Sequence, residues 1–396
     1  MKKILLILVL LLGLNSAYAV NELSFIYING SNNNDEKMKN WYEKGVRKLH
    51  PVLRKKIMKN SAVKKYYAAL GSVPDIKQEP VIFFWGDKSR KDLEFVESRL
   101  DISKAISSSG AYFARSMFAH CLHDAIWVQK PHNMIPILDE LNEQVIKEAK
   151  SGNDVILYGY SAGTFVTYEY FFNKLTYINL EKLFEALNAD NEIMELVRNN
   201  PRKDTCISAL SYDYAGIGNV SSAGHLILNQ DREQLKKNYL NIDEITERAC
   251  APEGKVKGVV NFASPLVLFY SDISDLNYEL NFYNKIMMKY ILENGIFWLT
   301  VNFREDPLGF PTGRNLTISE FEKILDMEIQ NPSGVVYDNS SVWSKRMFAL
   351  AHTSYWTARG TFSKAIVKSF VNGYKFQYDP KYQQKVIRKN SKKSEL

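Results

Sequence analysis

Five short runs of the chain are apolar almost without interruption. They are LSFIYIN from Leu23, PVIFFW from Pro80, DVILYGY from Asp154, VKGVVNF from Val256 and IFWLTVNF from Ile296. A strand with no polar residue at every second position has no face to give to water, so it must be covered on both sides. Between these runs lie helical signals. Glu36 to about Leu70 is basic and rich in helix formers. Ile135 to Ala149 places Ile135, Ile137, Leu138, Leu141, Val145 and Ile146 at helical spacing, and Thr164 to Phe172 reads as the start of a helix. A last short strand is expected at Gly334–Tyr337. Buried strands alternating with helices imply the α/β class, with a mostly parallel central sheet flanked by helices.

The chain opens MKKILLILVLLLGLNSAYAV. Lys2 and Lys3, the apolar run Ile4 to Leu14 and the small-x-small triplet Ala17-Tyr18-Ala19 have the form of a bacterial-type signal peptide cut after Ala19. Its core is shorter than the roughly 18–20 residues that span a bilayer. Export to the periplasm or the medium is therefore expected. The net charge of +7 is concentrated at the two ends of the chain. The leader holds two lysines, and Lys381 to Leu396 holds six Lys/Arg against one Glu, so the body between them is near neutral. Nothing in that body suggests a nucleic-acid partner. The basic tail is read as fraying in solvent, with peripheral contact to anionic lipid as the alternative. Three cysteines, Cys121, Cys206 and Cys250, are too few for a disulfide scaffold and lack metal-site spacing. A Cys206–Cys250 pair is open in an oxidising compartment. No metal and no cofactor is expected, and the sequence does not fix the oligomeric state.

Residues 20–176 form the first part of the core, 255–380 the second, and 381–396 the tail. Between them, residues 177–254 are rich in charge and helix formers and are read as a helical cap inserted over the sheet. The alternative is that TCISALSYDY, from Thr205, adds a strand to the sheet.

The stretch Gly159-Tyr160-Ser161-Ala162-Gly163 follows one apolar strand and precedes a helix. A serine on so sharp a turn needs small neighbours and a strained backbone, and it is presented at the end of the sheet. A serine hydroxyl needs a base, and the base needs an orienting acid. Of six histidines, His352 alone lies late in the chain. Asp306 directly follows an apolar strand, and Pro307 turns it away from helix. Glu305, Asp338, Asp272 and Asp275 are the competing acids. Two backbone N–H groups, of Ala162 and Ser31, are expected to form an oxyanion hole.

The elbow, the NFASPL strand end, the strand ending in Asp306-Pro307 and the late His352 together resemble the α/β-hydrolase superfamily in its lipase and esterase branch. The resemblance covers roughly Leu23 to Phe362. It implies Ser161 as nucleophile, Asp306 as acid and His352 as base, acting on a small-molecule or lipid ester. Many lipases carry His-Gly after the first strand, whereas this chain has Asn29-Gly30. An acyltransferase or thioesterase would use the same triad. A non-catalytic envelope protein could share the scaffold, but the complete Ser, Asp and His set argues against it.

Overall fold

The computed structural model describes residues 22–31, 36–61, 64–65, 75–104, 108–172, 174–179, 191–199, 206–208, 255–268, 282–293, 296–310, 316–326, 328–330, 337–342 and 349–394. The leader at 1–19, Cys250, Asp272, Asp275 and most of 177–254 lie outside these residues, and with them the readings of cleavage, of the Cys206 pairing and of a cap. Among the described residues no helix is long and apolar enough to cross a membrane.

Six parallel strands form the central sheet. They are β1 (Leu23–Ile28), β2 (Val81–Phe83), β3 (Asp154–Tyr160), β6 (Val256–Phe262), β7 (Phe297–Phe303) and β8 (Tyr337–Val342), in the order β2-β1-β3-β6-β7-β8. The five apolar runs supply five of these strands. The sixth corrects the sequence reading, because β8 begins at Tyr337, where the last strand was expected to end. YDNSSV has no apolar face to announce it, and its place comes from pairing with β7, Trp298 opposite Tyr337.

Both faces of the sheet are covered. Helix α1 (Glu36–Lys59) and helix α10 (Arg359–Tyr378) pack on one face. There Phe25, Tyr27, Ile156, Tyr158, Leu299 and Val301 of the strands meet Val46, Leu49, Leu53, Phe362 and Ile366. Helices α3 (Ser109–Val128), α4 (Pro131–Lys150), α5 (Gly163–Phe172) and α7 (Phe282–Glu293) pack on the other, against Ile26, Ile28, Val155, Leu157 and Trp298. Alternate residues of one strand thus enter different cores. Each fully buried large apolar side chain contributes about 1.5–3 kcal/mol. Helix α2 (Arg90–Lys104) packs on α3. The remaining helices are α6 (Asn191–Arg198), α8 (Ile318–Leu325), the single turn α9 (Ala349–His352) and α11 (Pro380–Ser394).

The segment read as a helical insertion is not helical throughout. Besides α6, its described part holds β5 (Cys206–Ser208), which pairs antiparallel with β4 (Lys174–Asn179), the strand that follows α5. TCISALSYDY therefore does contain a strand, but in a two-stranded sheet separate from the central one.

The strand order fixes where a site can form. From β1 the chain passes to β2 on one side, and from β3 it moves outward to β6 on the other. The C-terminal ends of adjacent strands β1 and β3 therefore open into a crevice between diverging connections, the position at which open α/β sheets bind ligands.

Candidate active site

Ser161 stands at that crevice. It directly follows β3 and has φ 51°, a left-handed backbone that serine rarely adopts. The turn is held from below. The Ser161 N–H donates to the Phe262 carbonyl (3.0 Å), and the Ser161 carbonyl accepts from Thr164 N (2.9 Å) and Thr164 Oγ1 (2.7 Å). The flanking glycines are required by space. A Cβ at Gly159 would lie 2.6 Å from Asn261 Oδ1, and one at Gly163 would lie 2.6 Å from the carbonyl oxygens of Ile28 and Asn29. The elbow is pressed against the ends of its two neighbouring strands, so its small residues are dictated by the sheet.

His352 completes the link. Its Nε2 lies 3.0 Å from Ser161 Oγ, and its Nδ1 lies 2.9 Å and 3.1 Å from Asp306 Oδ1 and Oδ2. An ionised carboxylate can only accept, so Nδ1 carries the proton and Nε2 offers its lone pair to the serine hydroxyl. The imidazole is stacked on Tyr160 with ring centroids 5.6 Å apart, and the Tyr160 hydroxyl donates to the His352 carbonyl at 3.0 Å. Tyr160, the residue before Ser161, thus orients His352 from both ring and backbone. The Asp306 side chain is fully buried, while that of His352 is 16% exposed, so the relay runs from the interior to an accessible imidazole.

Asp306 sits in a turn built for it. Its N–H donates to the Phe303 carbonyl at 3.2 Å and its carbonyl accepts from Gly309 N at 3.1 Å. Oδ1 also accepts from Leu308 N (3.0 Å), and Oδ2 accepts from the Tyr355 hydroxyl (2.9 Å). That same hydroxyl accepts from Phe303 N–H at 2.7 Å, tying the acid to the last residue of β7. Burial, and then the negative charge of Asp306, push the Tyr355 phenol well above its ordinary range, so it stays a donor. Asn302 braces the loop from the other side, accepting from Ser264 N (3.0 Å) and donating to the Phe310 carbonyl (2.8 Å).

Two of the four competing acids, Asp338 and Glu305, lie among the described residues. Asp338 lies opposite Leu299, four residues before the end of β7 at Phe303. At about 3.3 Å per residue that is on the order of 13 Å from the edge where the triad sits. Glu305 occupies the turn just before Asp306 and is partly buried, but it is not the carboxylate that meets the imidazole.

The two oxyanion candidates flank the nucleophile. The Ala162 N–H has no acceptor among the described residues, and its carbonyl accepts from Phe165 N (3.0 Å) as α5 begins. The loop after β1 runs directly over the elbow, since a Cβ at Gly30 would lie 2.7 Å from Ser161 Cβ. Asn29 shapes this loop. Its Nδ2 donates to the Gly30 carbonyl (2.9 Å), its Oδ1 accepts from Trp85 N (2.8 Å), and its own carbonyl accepts from Trp85 Nε1 (2.7 Å). Fixing the Gly30 carbonyl fixes the Ser31 N–H of the same peptide plane in the opposite direction. Asn29 thus holds the loop through its own side-chain amide.

Sequence reasoning missed Tyr355, Tyr160 and Asn29 as supports. Tyr160 stands inside the elbow itself and Tyr355 three residues after His352, but nothing in their spacing shows what their rings and hydroxyls meet. Among the described residues no group of three His, Cys, Asp or Glu could hold a metal ion. No protein-family profile, curated protein or solved structure matches the chain.

Proposed function

We propose that this chain is a serine hydrolase of the α/β-hydrolase type that cleaves carboxylic esters through an acyl-enzyme. The observation that carries the reading is Ser161, held at φ 51° in the crevice between β1 and β3, with its hydroxyl 3.0 Å from an imidazole whose far nitrogen meets a buried carboxylate. The strand order and the chain order Ser, Asp, His support the same reading.

In this mechanism Ser161 Oγ attacks the ester carbonyl carbon as its proton passes to His352 Nε2. The carbonyl oxygen becomes an oxyanion facing the N–H groups of Ala162 and Ser31. Asp306 stays ionised and stabilises the imidazolium. Collapse of the tetrahedral intermediate breaks the carbon–oxygen bond to the leaving alcohol, which takes its proton from Nε2. Water, activated by the same imidazole, then attacks the acyl-serine, releases the acid and restores the hydroxyl. The scheme needs no cofactor. In the same reading the enzyme is exported and begins at Val20, which N-terminal sequencing of the mature protein tests.

The test of the activity is a panel of p-nitrophenyl esters from short to long chain, run beside a fluorophosphonate probe. Hydrolysis and labelling are expected for the native chain, and both are lost in Ser161→Ala with the fold intact. Equal activity in that variant, or no labelling of the folded native chain, overturns the reading.

A further inference from the structure

The face of the molecule formed by α1 and α10 carries a groove of about 950 Å³. Its floor is apolar, with Val52 of α1 and Val367 and Val371 of α10. Five lysines line it: Lys55, Lys56 and Lys59 from α1, and Lys364 and Lys368 from α10. None of the five has a carboxylate partner among the described residues. By contrast, Arg54 of the same helix pairs with Asp75 and Arg47 with Glu79. The sequence explains why. From Gly45 to Lys59 there is no acidic residue, and α10 has none along its whole length. The Lys56 ammonium reaches the Gly360 carbonyl in the first turn of α10, and burial, then the nearby Lys364 charge, lower its pKa. Positive charge is therefore gathered here without compensation among the described residues, although the body of the chain is near neutral.

The pattern continues into α11, which packs on α10. It too lacks acidic residues, and it shows Ile387 42% exposed beside Arg388. Lysine is the point-charge partner of phosphate. A valine floor offers nothing for bases to stack on, as single-stranded nucleic acid needs, but it suits hydrocarbon. We propose that the α1/α10 groove, with α11 beside it, docks the protein on a bilayer rich in anionic phospholipid, the lysines meeting headgroup phosphates and the valine floor meeting acyl chain. The assignment rests on charge and apolar surface alone and is independent of the hydrolase reading.

Sedimentation with lipid vesicles tests it, using the full chain carrying Ser161→Ala so that no hydrolysis alters the lipid. Binding is expected to vesicles of equal parts phosphatidylglycerol and phosphatidylcholine, to weaken steeply with salt, and to be absent on phosphatidylcholine alone. Removing Lys55, Lys56, Lys364 and Lys368 together as glutamines is expected to lower the partition coefficient by about a hundredfold or more, since each lysine at an anionic surface counts for about fivefold. The four Lys→Arg changes should keep it. Lys385→Gln with Arg388→Gln should lower it by much less. A polarity-sensitive dye on Val371→Cys reports the floor without removing any lysine, and its emission should shift to the blue with anionic vesicles only. Four outcomes overturn the proposal: equal binding to neutral vesicles, an unshifted dye on bound protein, a glutamine variant that folds and binds as the parent does, or duplex DNA bound through the same lysines while vesicles are ignored.

Discussion

At the scale of single residues, the site is a carboxylate with its acceptor positions taken. Asp306 receives an imidazole, a backbone N–H and a phenol, all in a side chain with no solvent exposure. Asp306→Asn keeps the shape but removes the charge and lets the amide present a donor to Nδ1, favouring the wrong tautomer. A fall in kcat of roughly two to four orders of magnitude is expected, by analogy with the same change in a serine protease. Glu305→Gln should stay near the parent, and so should Asp338→Asn. Steady-state kinetics of the three variants side by side decide the assignment, and a crippled Asp338→Asn with an active Asp306→Asn would reverse it. Tyr355→Phe removes a donor from Asp306 and an acceptor from the buried Phe303 N–H. It should cost about 1–3 kcal/mol of stability in thermal or urea melts. It should also lower kcat about tenfold and move the acidic limb of the pH–rate profile, a readout that loss of packing alone would leave in place. Ser161, Asp306 and His352 could be read from the sequence because each stood in a local context that chemistry makes rare. Tyr355 could not, since its role depends on β7 meeting the helical turn Ser354–Trp356 in space, and AHTSYW looks like core in a linear reading.

Among elements, α1 shows how a helix is fixed to the sheet by a neutral histidine. His50 is fully buried, its Nε2 donates to the Lys77 carbonyl (2.9 Å), and its Nδ1 accepts from the Tyr27 hydroxyl (3.1 Å). Burial holds its pKa below the ordinary 6.5. The sign follows directly. Above pH 6.5 neither folded nor unfolded chain protonates this ring, so the contribution is complete. As pH falls below 6.5 the unfolded chain binds a proton that the folded one refuses, and stability is lost until the folded pKa is reached. Urea melts from pH 8 down to pH 5 should show this slope, at most about 1.4 kcal/mol per pH unit from one group. His50→Gln should be less stable at pH 8 yet flatter across the window; an unchanged slope in that variant would mean the titrating group lies elsewhere. Glu148 acts in the same direction at lower pH. Burial works to raise its carboxyl, but hydrogen bonds from Lys77 and Asn153 prevail and hold it below 4.5. The apolar strands were legible because burial on two faces leaves no polar alternation. Strand β8 and the β4–β5 pair were not, because their order comes from partners rather than from their own composition. Helices α2 and α3 gave no clear apolar stripe to read in advance.

For the whole molecule, the parallel sheet joins segments far apart in the chain. β1 pairs with β3 across α1 to α4, and Ser161 meets a histidine 191 positions later. Contacts of such sequence separation close late and slowly. In stopped-flow refolding, fluorophosphonate labelling of Ser161 should appear no earlier than the near-ultraviolet signal of the aromatic cluster around Tyr42, Tyr160 and Trp356, which packs behind the base. Labelling that precedes this signal would show that the site assembles without its support.

That separation also governs when the chemistry can begin. A growing polypeptide presents Ser161 early, Asp306 later and His352 last. Until His352 has emerged and docked on Tyr160, the hydroxyl has no proton acceptor. In the proposed mechanism a chain whose His352 has not yet docked on Tyr160 would be inert toward esters, and completion of the fold would itself be the activation step.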